Sequence, residues 1–224
     1  MIWLHGGGWF CGAGNSEFCS PKYLLDHDVI LVTMNYRLGP LGFLSTEDTV
    51  CPGNNGLKDQ AQSIRWVHEN IAAFGGDPNR VTIFGESAGG ASVHYHMMSN
   101  LSKGLFHRAI SQSGNGCCPW AVARPGSAKK KATKVAELLD CPSEDTKQLL
   151  ACLRTKSAVD IIGTDRAFQV FNYCPVIPFR PVIEPIHPGA FITEDPAHAS
   201  KHGHLSDIPW MTGVNSEEGA LIVP

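Results

Sequence analysis

No apolar run in this chain of 224 residues approaches the roughly 20 needed to cross a bilayer as a helix, so no membrane-spanning helix is expected. Charge is scarce: Asp, Glu, Lys and Arg together make up 17% of the chain, and the net charge is −3. That balance argues against a nucleic-acid partner, which would need a broad basic face. The basic run Lys129-Lys130-Lys131, with Lys134, is too small for a phosphate footprint and reads as a solvated helix face. Low-complexity tracts and internal repeats are missing, and 43% hydrophobic content excludes a disordered chain while supplying a core. No Cys-x-x-Cys pair occurs among the eight cysteines, so no cysteine spacing resembles a zinc site. Eight is nonetheless many for a cytosolic enzyme, and the number points to an oxidising compartment. No secretory leader is expected within these residues. Met1-Ile2-Trp3-Leu4 is too short for a leader's apolar core and runs straight into glycines. It reads as the tail of a buried strand, and a chain that starts in mid-sheet is expected to be part of a longer protein.

What is present alternates strand and helix. Ile2–Leu4 ends a strand, and the β-branched run Val29–Met34 reads as a strand buried on both faces. From about Leu57 to Phe74 apolar residues recur at spacings of three and four (Leu57, Ala61, Ile64, Val67, Ile71, Phe74), which predicts one helix with one apolar stripe. Gly75-Gly76-Asp77-Pro78 stops it. Val81–Phe84 predicts the next strand, residues 88 to 98 a helix, and Arg108–Gln112 a further strand. This order means an α/β fold, with a mixed, mostly parallel sheet and helices on both faces. From about 119 to 207 the pattern loosens and prolines cluster at 175, 178, 181, 185 and 188. That region reads as a helical and loop insertion above the sheet, within a single partial domain spanning 1–224. A strand returns at Ile208–Val214. Cys141 and Cys152 flank the short helix-like stretch PSEDTKQLLA and are the best disulfide candidates. Asn100-Leu101-Ser102 is a glycosylation sequon, a triplet that also arises by chance.

Two short motifs carry chemistry. Gly85-Glu86-Ser87-Ala88-Gly89 fits G-x-S-x-G, with a strand before it and a small-residue helix after it, the setting of a nucleophile elbow. Such a turn lifts the serine oxygen above the sheet at a helix N-terminus, where the dipole favours developing negative charge. The plain alternative is a tight turn with a helix-capping serine. His5-Gly6-Gly7-Gly8 follows the first strand. Acyl transfer passes through a tetrahedral oxyanion, which needs several N–H donors aimed at one point, and a glycine run lets bare backbone approach that point. The HGGG loop is the partner of the serine turn in esterases. Taken alone it could be only a flexible turn, but two motifs on successive strand ends support one another as a serine-hydrolase site.

With these motifs the chain resembles the type-B carboxylesterase/cholinesterase family of α/β-hydrolases, and is most like insect carboxylesterases. The resemblance rests on HGGGW (5–9), VTMNYRLGPLGFLST (32–46), GNNGLKDQ (53–60), WVHENIAAFGGDPNRVTIFGESAGGASV (66–93), KGLFHRAISQSG (103–114), CPW (118–120), CPSEDTKQLLACLR (141–154), PVIEP (181–185) and GVNSEEG (213–219). Asn54-Asn55-Gly departs from the family's usual Asn-Gln-Gly. Glu86 stands where juvenile hormone esterases tend to carry Gln, which points away from that branch. The resemblance implies Ser87 as nucleophile, Glu218 as the triad acid with Glu217 its solvated neighbour, and an oxyanion hole from Gly7, Gly8 and Ala88. It further implies a substrate pocket with Trp9, Glu86 and Trp120, of which Trp120 matches an acyl-pocket residue and Trp9 could equally be a buried structural tryptophan. It agrees with the Cys141–Cys152 disulfide. It also implies small-molecule carboxylic esters as substrates, no cofactor or metal in the chemistry, and a secreted or extracellular setting. It leaves the oligomeric state open.

Triad order in this fold is serine, acid, histidine. No histidine follows Glu218. His94 and His96 lie on the helix that Ser87 opens, but seven residues of helical rise set His94 roughly 10 Å along the axis, beyond a general base's reach. A structural hydrogen-bonding role is expected for His5, and solvent-facing positions for His187, His198, His202 and His204. The base is therefore expected outside these residues, and the isolated chain is expected to have little or no activity. Two other functions compete: choline-ester specificity, and a non-catalytic adhesion protein of the same superfamily. Survival of Ser87, Gly7, Gly8 and Glu218 disfavours the latter.

Overall fold

A computed structural model describes residues 1–169 and 176–221; Cys174 and Pro175 lie outside the described residues. Five parallel strands form one sheet in the order β2-β1-β3-β4-β5. They are β1 (Ile2–Leu4), β2 (Val32–Thr33), β3 (Thr82–Glu86), β4 (Arg108–Gln112) and β5 (Trp210–Gly213). Parallel strands need crossover connections, and helices supply most of them. The longest is α2 (Asn55–Asn70), which follows the short α1 (Gly39–Phe43). Beyond α2 the chain tightens into a 3₁₀ turn over Ile71–Phe74. The apolar stripe is real as far as Ile71, which is buried with Leu57, Ala61, Ile64 and Val67. Phe74 corrects the expectation: it is 63% exposed and packs on the surface against Trp66. The tighter turn changes the residue angle, so the last member of the series rotates off the buried face.

The strand expected over Val29–Met34 shrinks to two residues at the sheet edge, part-exposed rather than buried on both faces. β1 pairs with it only through Ile2 and Trp3, and Ile30 instead accepts from the Met1 amino group at 2.7 Å.

α3 (Ala88–Met98) is buried nearly all round, which its run of small and apolar residues permits. It lies so close to the sheet that a Cβ on Gly89 would sit 2.0 Å from the Leu4 carbonyl oxygen. The region 119–207 contributes α4 (Ser127–Leu138), α5 (Thr146–Leu153), α6 (Ala158–Gly163) and α7 (Pro196–His202). Cys141 and Cys152 are bridged, tying the end of α4 to α5. Cys11, Cys19, Cys51, Cys117 and Cys118 are unbridged. The lysine run is only partly a solvated face. Lys129 and Lys130 are exposed, but Lys131 donates to the Pro178 carbonyl and Lys134 to that of Ala167 at 2.6 Å.

Glu184 fastens the segment around residues 182–191 to the start of α2. Its carboxylate is fully buried and accepts from Asn54 Nδ2 at 2.9 Å, the Phe191 N–H at 2.9 Å and Lys58 Nζ at 2.7 Å. His187 Nε2 lies 3.0 Å from it, so His187 is part-buried against Glu184 rather than solvent-facing. Asn54 has a left-handed φ of 57° and clamps Val182 through both its amide atoms. A buried carboxylate is tolerated only while its partners remain. Glu184→Ala strips Lys58 of its counter-charge and the buried Phe191 N–H of its acceptor, and is expected to cost about 3–5 kcal/mol, read as a lowered urea midpoint.

Candidate active site

Strand order reverses direction between β1 and β3, because the chain first adds β2 on one side of β1 and then β3 on the other. Ligand sites in open parallel sheets lie outside the carboxyl ends of strands at such a switch. Leu4 is in register with Gly85, Glu86 with Gln112, and Gln112 with Gly213. Four strand ends therefore point the same way. They deliver the glycine loop after β1, Ser87 after β3, Ser113 after β4 and the 214–218 segment after β5. Two backbone bonds just past those ends keep them together: Ser87 N–H to the Gln112 carbonyl and Ser113 N–H to the Gly213 carbonyl, both 2.8 Å.

Ser87 sits at φ 55°, ψ −119°, a strained conformation for a residue with a side chain. It opens α3 but its hydroxyl makes no capping hydrogen bond. The capping role that would explain a serine here is thus not what the residue does. The glycine loop abuts the turn: a Cβ on Gly6 would lie 2.7 Å from the Glu86 carbonyl oxygen and 3.3 Å from Ser87 Cβ. Gly7 and Gly8 both have left-handed φ, 96° and 58°, and the Gly7 carbonyl turns away to accept from Phe10 and Cys11 N–H. Ala88, fully buried, is in the first turn of α3, where N–H groups have no intrahelical partner.

Glu218 begins a 3₁₀ turn and accepts from the Asn215 N–H at 2.9 Å. The Ser113 hydroxyl, and then that N–H, hold its carboxyl below the usual range. Glu86 goes the other way, raised first by burial and then by the Glu218 charge. Two nearby carboxylates are thus driven apart, with Glu218 the readily ionised one. Glu86 and Ser113 share an open cleft of about 430 Å3 with Gln112 and Asn215. Ser113 is a residue that sequence reasoning missed. Its φ of 51° bends the chain after β4 toward Glu218, and nothing local in Gln-Ser-Gly signals that.

Trp9 has no exposed surface. Its Nε1 donates to Ser92 on α3 at 3.0 Å, and its ring packs 5.8 Å from that of half-buried Trp120. It joins the loop that carries Gly7 and Gly8 to α3. Asn100 is exposed beyond the end of α3.

None of the ten histidines is hydrogen-bonded to Ser87 among the described residues. His94 accepts from the Gly116 N–H at 3.0 Å on Nδ1 and donates from Nε2–H to the Ser200 hydroxyl at 3.2 Å, which in turn donates to the Pro196 carbonyl. His96 is held between Ser102 and Gln60. His5 is buried, hydrogen-bonded to the Gly6 carbonyl and stacked on Tyr36 at 4.3 Å, the structural role expected of it.

The sequence model of the carboxylesterase family matches residues 1–224. The chain belongs to the carboxylesterase family. Its sheet and crossovers are those of the family's α/β-hydrolase fold. Among its relatives, a venom carboxylesterase of Apis mellifera is 46% identical over 98% of this chain and 39% of its own length. A carboxylic ester hydrolase of Bombus ignitus is 48% identical over 99% and 39%. A juvenile hormone esterase of Tribolium castaneum is 44% identical over 99% and 38%. The chain spans about two-fifths of the length of these curated relatives. Identities this close to one another do not separate the branches, so the meaning of Glu86 for the juvenile hormone branch stays an expectation.

Burial depresses His94 to a pKa of about 4 and His96 to about 3. Both are neutral when folded, while an unfolded histidine titrates near 6.5. Below that value the unfolded chain takes up protons the folded one cannot. Stability from these two residues is full above about pH 6.5 and falls as pH drops toward 4. The urea midpoint should accordingly be lower at pH 5 than at pH 7.

Proposed function

We propose that the protein hydrolyses carboxylic esters through a serine acyl-enzyme, with Ser87 as nucleophile. The observation that carries this reading is the strained Ser87 backbone combined with a hydroxyl left out of helix capping. Strain of that kind persists only where the surrounding structure enforces it, and it clusters at functional sites. In this reading Ser87 Oγ attacks the ester carbonyl carbon. The carbonyl oxygen becomes an oxyanion received by the N–H groups of Gly7, Gly8 and Ala88. The alcohol leaves, and water then attacks the acyl-serine and releases the acid. Glu218, whose carboxyl is held below the usual range and accepts from the Asn215 N–H, orients the histidine that shuttles the serine proton. That histidine is none of the ten in this chain, whose ring nitrogens the described structure gives no hydrogen bond to Ser87; the remainder of the full-length protein supplies it.

Trp120 and Glu86 are assigned to the substrate pocket, and the 119–207 insertion to the wall above it. The Cys141–Cys152 bridge supports a secretory setting, since disulfides persist in oxidising compartments. Retention of Ser87 beside the glycine loop favours catalysis over an adhesion role.

The full-length protein should be labelled at Ser87 by a fluorophosphonate probe, and Ser87→Ala should abolish both labelling and p-nitrophenyl acetate turnover. The 224-residue chain alone should hydrolyse that ester near background; robust turnover lost on Ser87→Ala would defeat the assignment of the base. In the full-length protein Glu218→Gln should lower kcat by up to about four orders of magnitude, with labelling by the probe slowed in parallel.

A further inference from the structure

The sequence places four histidines in the loosest part of the chain, and three of them gather at one point. Asp195 caps α7 by accepting from the Ala197 and His198 N–H groups, at 2.9 and 3.1 Å. That sets Glu194 just before the helix and His198 in its first turn. Gly203, at φ 73°, then ends the helix, and the His204 N–H bonds back to the Ala199 carbonyl at 2.9 Å. This reversal, which only a left-handed residue allows, returns His204 to Glu194. The ligand-capable atoms of Glu194, His198 and His204 all lie within 4.8 Å of one another. His204 Nδ1 is 3.0 Å from both carboxylate oxygens, and His198 Nδ1 is hydrogen-bonded to Oε1.

We propose that Glu194, His198 and His204 form a binding site for one divalent transition-metal ion, with zinc the best-fitting member of the class. Three observations carry it. The first is spacing: ligands at about 2.0–2.2 Å from a tetrahedral zinc sit roughly 3.3 Å from one another, and the His204–Glu194 pair is already near that. The second is donor chemistry. Two imidazoles and a carboxylate suit zinc, copper or nickel, whereas calcium and magnesium prefer oxygen-only cages. The third is access. The side chains are 56%, 55% and 33% exposed for His198, His204 and Glu194, so an ion can enter and complete its coordination with water. His202 stands beside the set. Its Nδ1 donates to the His198 carbonyl at 2.8 Å and its ring lies 4.0 Å from that of His198, which steadies the His198 ring. Glu194 and His204 also wall a cleft of about 510 Å3, lined in addition by Met97, Asn100, Lys103 and Phe191, which has room for a further donor. The site is built from a different part of the chain than the Ser87 machinery and does not rest on it.

The test is calorimetric titration of zinc chloride into the full-length protein, purified without a histidine tag and stripped of metal. One ion should bind per chain in the micromolar range. His198→Ala and His204→Ala should each weaken binding by about tenfold or more, while His27→Ala, an exposed histidine elsewhere, should leave it unchanged. Zinc should raise the thermal midpoint of the wild type and not of the His198→Ala/His204→Ala double variant, whose metal-free midpoint should match the wild type because the rings are exposed. Absence of saturable micromolar binding, or binding unchanged in the double variant, would overturn the proposal.

Discussion

The closeness of α3 to the β1–β3 pair is the constraint on which the rest depends. Gly89 leaves no room for even a methyl group against the Leu4 carbonyl, and a Cβ on Gly85 would lie 2.6 Å from the Gly89 carbonyl carbon. A helix pressed this far into the sheet forces the chain between β3 and α3 into one sharp turn, and Ser87 absorbs the distortion at φ 55°. The same approach sets the glycine loop beside the serine, because that loop leaves the strand whose carbonyl Gly89 touches. Close packing, strain and the meeting of two motifs about 80 residues apart are one event, read from three sides.

Around that turn the structure spends its buried polar groups on rigidity. His94 and His96 are neutral, partnered on both ring nitrogens and sealed in α3. Trp9 ties the loop after the glycines to Ser92 on the same helix. Glu184 does the same for its own stretch of chain, joining residues far apart through Asn54 and Lys58. Each group is stable only because its partners are in place, since an unpartnered buried polar atom is costly. The carboxylates at the open edge are arranged differently. Glu218 is exposed and kept ionised by Ser113 and the Asn215 N–H, while Glu86, partly buried beside it, is pushed the other way.

The departures from the sequence reading have physical causes. Phe74 continues the apolar series on paper, but a 3₁₀ turn changes the angle per residue and rotates it outward. The Val29–Met34 run has the composition of a central strand, yet a strand's length is set by its neighbour, and β1 offers it two residues. Lys131 and Lys134 look solvated in a polar stretch until carbonyls from Pro178 and Ala167 come within reach. For the edge strand and the lysines a distant partner decided the outcome; for Phe74 the local turn did.

The alternation of strand and helix, the glycine run, the serine motif and the Cys141–Cys152 spacing belong to the sequence by itself, because each depends on backbone rules that act within a few residues. The parallel sheet and the order of its motifs followed from them. Only the tertiary structure could decide that the serine hydroxyl does not cap its helix, that the Asn215 N–H meets Glu218, that Trp9 is sealed against Ser92 on α3, and that Glu194, His198 and His204 converge. Those facts depend on where separate strand ends and a left-handed glycine bring side chains in space, and no local spacing in the chain encodes such distances.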